Sequence, residues 1–266
     1  MPDTRHRFSF SFRASGLNIR VATDSAALTY SLDRYLLPWL PRVAKSSPKG
    51  SEVVYSVDPC GNDGCFKIQR GARTIAHGIA ANLLFTALQQ ILDDLLIARL
   101  GERAAVHAGV AVYQGHAILL PGSSGSGKTT LVRELISRGA RYSSDEFAVL
   151  DSDGLVHPWP RALMIRNACQ IQEPLLATEL GAKLQREAAR VKLIVLLRYV
   201  PGATFDVQPL AGSETMIKLL QNTPHVLAEK PGMLGTLAAA CRTALSFEGV
   251  RGAAGEAAEA LIGLCM

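Results

Sequence analysis

The sequence predicts an α/β fold in two parts: a small N-terminal α/β lobe over residues 1–78 and a larger domain over residues 79–266. Three observations carry this. Short apolar runs with strand-like alternation recur between apolar stripes of helical spacing. An apolar run, Leu119-Leu120-Pro121, leads straight into a glycine-rich loop and then a helical pattern. The chain has 266 residues and 48% apolar composition, enough to bury one large core and a small one beside it.

The N-terminal lobe begins with alternation over residues 7–22, where Phe8, Phe10 and Phe12 and then Leu17, Ile19 and Val21 mark one face of two strands. Residues 25–40 read as a helix that Pro38 and Pro41 bring to an end. Lys45 to Gly50 is a polar turn. Short strands at Val53–Val57 and Phe66–Gln69 flank a Gly-Asn-Asp-Gly turn. No residues of this lobe group into a chemical motif, which makes it a candidate for recognising the partner that the rest of the chain acts on.

The larger domain opens with a helix over residues 79–100. Its stripe of Leu84, Leu88, Ile91 and Leu95 with Phe85, Leu92 and Leu96 is wide enough to be covered on more than one side. Gln89, Gln90, Asp93 and Asp94 interrupt it, so it reads as a buried helix and not a membrane span. Val106–Tyr113 and His116–Leu120 are strands joined by Gln114-Gly115, a two-residue hairpin signal. Lys128–Arg138 is a helix closed by Gly139. Phe147–Leu150 and Leu155–His157 form a hairpin about Asp151–Gly154, and Ala162–Arg166 and Val191–Tyr199 are further strands. The remainder reads as a strand at Phe205–Val207 and helices at Gly212–Gln221, Met233–Leu245 and Ala253–Leu264.

Composition narrows the function classes. Net charge is +5 and the isoelectric point about 9.0, yet aromatic residues make up only 6% and no basic cluster is interleaved with them. The sequence therefore predicts neither a nucleic-acid nor a membrane partner. Met1 to Arg13 is charged and lacks an apolar core, so no signal peptide is expected. The five cysteines, Cys60, Cys65, Cys169, Cys241 and Cys265, are odd in number and irregular in spacing. They read as free thiols of a cytoplasmic protein, without a second pair to complete a zinc site.

The chemistry is concentrated in Gly122-Ser-Ser-Gly-Ser-Gly-Lys-Thr-Thr130, which fits G-x-x-x-x-G-K-[ST] at every position. Gly125 and Gly127 can take backbone angles that bring amide N–H groups onto phosphate oxygens. A helix starting near Lys128 adds its N-terminal dipole. The candidate nucleotide-binding set is Gly122, Ser123, Ser124, Gly125, Ser126, Gly127, Lys128, Thr129 and Thr130. Within it Lys128 supplies charge at the β- and γ-phosphates, and the Thr129 hydroxyl is placed to ligate Mg²⁺. Thr130 also simply continues the helix. ATP with Mg²⁺ is the expected ligand pair.

A P-loop of the common parallel-sheet kind calls for a distant strand of four apolar residues ending in Asp. Leu193–Leu197 is the best such run, but Arg198 follows it; the run ending at Leu150-Asp151 is short and lies close to the loop. Instead, Asp145 and Glu146 stand soon after the loop helix, with His107 upstream of it. The segment from Val106-His-Ala-Gly-Val110 through the loop to Arg138-Gly-Ala-Arg-Tyr-Ser-Ser-Asp-Glu146 resembles the catalytic core of HPr kinase/phosphorylase. It looks closer still to the HPr-kinase-like proteins of bacterial gene clusters, which resemble the kinases that tailor ribosomal peptides, including lasso peptides.

That resemblance implies the mixed-sheet P-loop core shared by HPr kinase and phosphoenolpyruvate carboxykinase. It implies Asp145 as the general base for a serine hydroxyl, His107 near that aspartate and the phosphates, and Glu146 as the second acidic group, assisting metal or water. It also implies a serine-bearing protein or peptide acceptor and a homo-oligomer. Two departures stand out. Met164, in Met164-Ile-Arg-Asn167, occupies the place of a family glutamate, and the later family signature survives only as Pro201-Gly202-Ala203-Thr204. Arg166 and Arg198 remain candidate γ-phosphate clamps, whereas His116 and His157 read as structural. Four functions stay open: a serine kinase, a nucleotide-binding regulatory module that no longer transfers phosphate, a small-molecule kinase and a plain ATPase.

Overall fold

A computed structural model describes residues 6–42, 51–61, 64–123, 125–166, 172–224 and 231–266. Ser124, the side chain of Arg166, Asn167 and Cys169 therefore lie outside the described residues, as do Lys45–Gly50 and Asn62-Asp63. The chain divides into two compact units, Met1–Arg99 with Arg166–Gln172, and Leu100–Ile165 with Glu173–Met266.

The first unit is a five-stranded sheet in the order β1 to β5: β1 (Phe8–Ala14), β2 (Leu17–Thr23), β3 (Ser51–Cys60), β4 (Cys65–Arg70) and β5 (Arg73–Ala80). Only β2 and β3 run parallel, and α1 (Ala26–Tyr35) lies between them in the chain. Ser25 caps α1 by accepting the Leu28 N–H. The helix stops before the prolines, since Leu36 is already extended and Leu37 takes a left-handed φ of 46°. The alternation in the sequence maps onto burial: Phe12, Ile19, Val21, Tyr55, Val57 and Ile68 lie within the core. Helix α2 (Ala81–Ile97) packs against β4 and β5 and groups with this unit, so the break between units falls at residue 99 and not at 78.

The second unit carries a mixed sheet, in keeping with the α/β class predicted from sequence. Its strands are β6 (Ala104–Tyr113), β7 (His116–Pro121), β8 (Arg141–Ser144), β9 (Phe147–Leu150), β10 (Leu155–His157), β13 (Ala189–Tyr199), β14 (Asp206–Pro209) and β15 (Leu245–Arg251). A separate ribbon pairs β11 (Leu163–Arg166) with β12 (Gln172–Leu175). The main order is β10-β9-β6-β7-β13-β15-β14, with β8 also paired to β6. Pairing is antiparallel except along β7-β13-β15, which run parallel with Ile118 opposite Leu193 and Leu193 opposite Leu245. The N-terminal end of β13 also pairs with β10, which curls the sheet. The β6–β7 hairpin turns at Gln114 and Gly115, both with positive φ, as a two-residue hairpin requires.

Four α-helices belong to this unit among the described residues: α3 (Lys128–Ser137), α4 (Gly212–Gln221), α5 (Met233–Thr243) and α6 (Ala254–Cys265). Leu131, Val132 and Leu135 of α3 meet Ile118, Leu120, Leu193 and Val195 of the sheet and Ala257, Ala258 and Leu261 of α6. Gly109 permits the approach of α3 to β6, since a Cβ there would lie 2.8 Å from Val132 Cγ2. Removal of these apolar faces from water stabilises the fold by roughly 25 cal/mol per Å² and fixes the loop at the head of α3.

Candidate active site

The sheet order explains how residues distant in sequence meet. Strand β6 lies between β7, which ends in the glycine-rich loop, and β9, which begins just after Asp145-Glu146. His107 on β6 is the register partner of Phe147, its carbonyl accepts the Gly122 N–H, and Ala108 N–H donates to the Glu146 carbonyl. Loop, histidine and acidic pair are thus tied through the backbone of a single strand.

Within the loop, Gly125 and Gly127 have φ of 83° and 85°, which side chains other than glycine resist. Gly127 is the N-cap of α3. Lys128 Nζ donates to the carbonyls of Gly122 and Ser123 at 2.6 and 2.8 Å. Burial pulls its ammonium below the ordinary lysine value, and the charges of Glu146 and Asp145 oppose that fall. Ser126 Oγ is buried and has no hydrogen-bond partner among the described residues. A hydroxyl donor left without a partner inside a glycine-rich loop, next to a lysine, suits a phosphate oxygen.

Asp145 is almost fully buried at the end of β8. Its Oδ2 accepts from the Thr129 hydroxyl at 3.2 Å and its Oδ1 from the Tyr142 hydroxyl at 3.2 Å. The single Tyr142 hydroxyl hydrogen is shared between this carboxylate and the Arg161 carbonyl, which lies 2.9 Å away. Burial pushes the Asp145 carboxyl up to about 6; the charge of Arg161 and the two hydroxyls pull against this, while Glu146 adds to it. Burial and the adjacent carboxylates likewise drive the Tyr142 phenol well above its usual value, so it remains a donor. Glu146 behaves differently. Burial alone would raise its carboxyl, but the His107 hydrogen bond and the charges of Arg161, His107 and Lys128 together hold it below the ordinary value. His107 Nδ1 lies 3.5 Å from Glu146 Oε1, and Arg161 Nη1 lies 4.0 Å from Oε2. The His107 ring also packs on Phe147, with centroids 4.6 Å apart.

The donors at this point are hydroxyl and carboxylate oxygens, the set that a hard cation such as Mg²⁺ prefers. Because the Thr129 hydroxyl spends its proton on Asp145, its lone pairs are available to a cation.

Lys128, Thr129, Asp145, Glu146 and His107 therefore come together. The other Asp considered from sequence, Asp151, is engaged in the β9–β10 hairpin, where it accepts the N–H groups of Asp153 and Leu155 and contacts His157 at 2.7 Å. Arg198 is exposed at the end of β13. Two arginines that sequence reasoning passed over lie in the site instead. Arg161, in the irregular segment after β10, lies 4.0 Å from Glu146 Oε2 and its charge acts on Asp145. Arg251, at the end of β15, donates to the carbonyls of Gly127 and Gly252, each at 2.9 Å. The expected helix running on to Leu245 ends instead at Thr243, and residues 245–251, for which no strand is expected, form the strand that carries Arg251. Cys241 and Cys265 are free thiols, burial lifting that of Cys241 to about 11, whereas the sulfurs of Cys60 and Cys65 lie 2.8 Å apart. Among the described residues no helix is long and apolar enough to cross a membrane.

No family model matches the chain. Its sequence is similar to HPr kinase/phosphorylases. That of Lacticaseibacillus casei strain BL23 is 30% identical over 163 residues, covering 58% of this chain and 49% of the relative. That of Lactococcus lactis subsp. cremoris strain SK11 is 28% identical over 116 residues, covering 42% and 37%. The chain thus spans at most about half the length of these curated relatives. Among solved structures, the HPr(Ser) kinase/phosphatase from Coxiella burnetii aligns at 13% identity and a TM-score of 0.33, over 61% of this chain and 99% of that one.

Proposed function

We propose that this HPr-kinase-like chain is an ATP-dependent kinase that transfers the γ-phosphate to a serine hydroxyl of a protein or peptide, such as a ribosomal peptide undergoing tailoring. The observation that carries the proposal is the position of Asp145. Its carboxylate is hydrogen-bonded to Thr129 at the end of the loop, and burial raises its basicity.

In this reading the loop amides and Lys128 hold the triphosphate, with the Ser126 hydroxyl as a further donor. Thr129 and Glu146 would hold magnesium, which would supply charge neutralisation for the phosphates. Asp145 accepts the proton of the serine hydroxyl as its oxygen attacks phosphorus, and the leaving oxygen departs with ADP. His107 and Arg161 keep Glu146 ionised. HPr, the substrate in the relatives' names, is one acceptor to try; the N-terminal lobe is the proposed recognition element, and a homo-oligomeric assembly in the cytoplasm accompanies the reading. The test is incubation with γ-labelled ATP and candidate serine-bearing partners, HPr and peptides encoded nearby among them. Label on a serine is the expected result; ADP formation with label on none of them would reject the serine-kinase reading.

A regulatory module that binds nucleotide without transfer is the second reading, motivated by Met164 at the glutamate position that the resemblance implies. It predicts that Asp145→Asn leaves every measurable function unchanged.

A further inference from the structure

The loop and the acidic pair account for phosphates and acceptor but leave the nucleoside without a place. Three parallel strands end on one side of the loop. Strand β7 delivers the loop itself, β13 ends at Tyr199 and β15 ends at Arg251. The carboxyl ends of parallel strands are where α/β sheets bind ligands. An open pocket of about 730 Å³ lies there, lined by Gly127, Thr130, Tyr199, Thr204, Arg251 and Glu256 among others. That volume falls in the range of small-molecule sites.

The pocket has a built wall. Arg251 is almost fully buried, and its guanidinium carbon stands 5.2 Å from the centre of the Tyr199 ring. Tyr199 itself is 52% exposed. The turn beyond it is pinned in place: Val200 N–H donates to the Arg251 carbonyl, Ala203 N–H to the Val200 carbonyl, and a Cβ on Gly252 would lie 2.0 Å from the Ala203 carbonyl oxygen. On the far side, Glu256 accepts the Phe205 N–H at 3.1 Å. A cation behind an aromatic ring, with the ring otherwise open to a pocket, makes a stacking platform for a flat π-system.

We propose that this pocket takes the nucleoside half of the nucleotide, with a purine stacked on Tyr199 and Arg251 linking that platform to the loop through Gly127. The inference rests on the nucleotide-binding reading of the loop and adds the residue that selects the base. A purine offers more area to the ring than a pyrimidine, so ATP and GTP bind more tightly than CTP and UTP.

The test measures binding of ATP and of inorganic triphosphate, each with magnesium, by calorimetry on the full chain and its variants. Tyr199→Ala weakens ATP by about five- to a hundredfold, the range of one lost base–aromatic stack, and leaves inorganic triphosphate unchanged. Tyr199→Phe retains ATP affinity. Thr204→Trp, which fills the pocket from another part of its lining, also costs ATP affinity but spares triphosphate. Equal affinity of Tyr199→Ala and wild type for ATP would overturn the proposal while leaving the loop reading intact. So would parallel loss of ATP and triphosphate, which would mean that Tyr199 only props the loop. A wild-type chain that binds neither ligand rejects both readings together.

Discussion

The Thr129 hydroxyl donates to Asp145 Oδ2 across 3.2 Å, so the residue that closes the phosphate loop and the first residue of the acidic pair share one hydrogen. Asp145 is buried, faces Tyr142 on its other oxygen and is held up to about 6.

Replacing Asp145 by Asn keeps the shape and removes the proposed base. Phosphoryl transfer should fall by about 10²- to 10⁴-fold, while ATP affinity changes by less than about threefold, a fraction of a hydrogen bond. Single-turnover transfer and equilibrium binding, measured on the same preparation, separate the two. Unchanged transfer would remove Asp145 from the chemistry.

The same carboxyl sets a pH profile. In the free enzyme kcat/KM should climb as pH rises through about 6 and level off above it, because only the ionised form accepts the serine proton. Asp145→Asn should flatten the residual profile. A wild-type rate that is level from pH 5 to 8 contradicts a base with this environment.

Stability should move in the opposite sense. The folded chain holds the Asp145 proton more tightly than the unfolded chain, whose carboxyl has its ordinary value near 3.8. Folding therefore gains at acid pH, and the gain is lost as pH rises from about 4 through about 6. Above that window the buried charge costs on the order of 2–3 kcal/mol. Asp145→Asn, without nucleotide or magnesium, should match or exceed wild-type stability at pH 8 in urea titrations. A clear loss of stability there would mean that the hydrogen bonds from Thr129 and Tyr142 outweigh the burial of the charge.

The two loop glycines with positive φ are not equivalent. A Cβ on Gly125 would meet nothing within 4 Å, so Gly125→Ala suffers backbone strain of about 1 kcal/mol. A Cβ on Gly127 would lie 2.2 Å from Arg251 Nη2. Gly127→Ala must both strain the cap of α3 and displace the guanidinium, at about 2–4 kcal/mol. Thermal denaturation of the pair should rank them in that order.

What could be read from the sequence was local. The loop declares itself because glycine spacing, lysine and hydroxyl are contiguous and the flanking strand and helix obey their own periods. Asp145 and His107 became legible through their resemblance to a known pattern. Arg161 and Arg251 were invisible because their partners lie elsewhere in the chain: Arg251 reaches Gly127 only after β15 has paired with β13. Strand β15 itself escaped notice because Glu248-Gly249 breaks its apolar alternation. That glycine is needed where β14 crosses close by, for a Cβ there would lie 2.0 Å from the Asp206 carbonyl oxygen. Strand β5 was missed for the reverse reason, since it is largely exposed and shows no buried face to betray a period. The domain boundary at 78 followed hydropathy, whereas α2 groups by packing with the strands before it.

Strand β15 is threaded beside β13 late in the chain, yet it brings the arginine that grips the loop of residues 122–127. During synthesis the glycine-rich loop leaves the ribosome more than a hundred residues before its brace. A fragment ending ahead of Leu245 would thus carry the intact motif without the guanidinium that donates to the Gly127 carbonyl. That brace forms only through strand pairs far apart in sequence, the kind of contact that is slow to make.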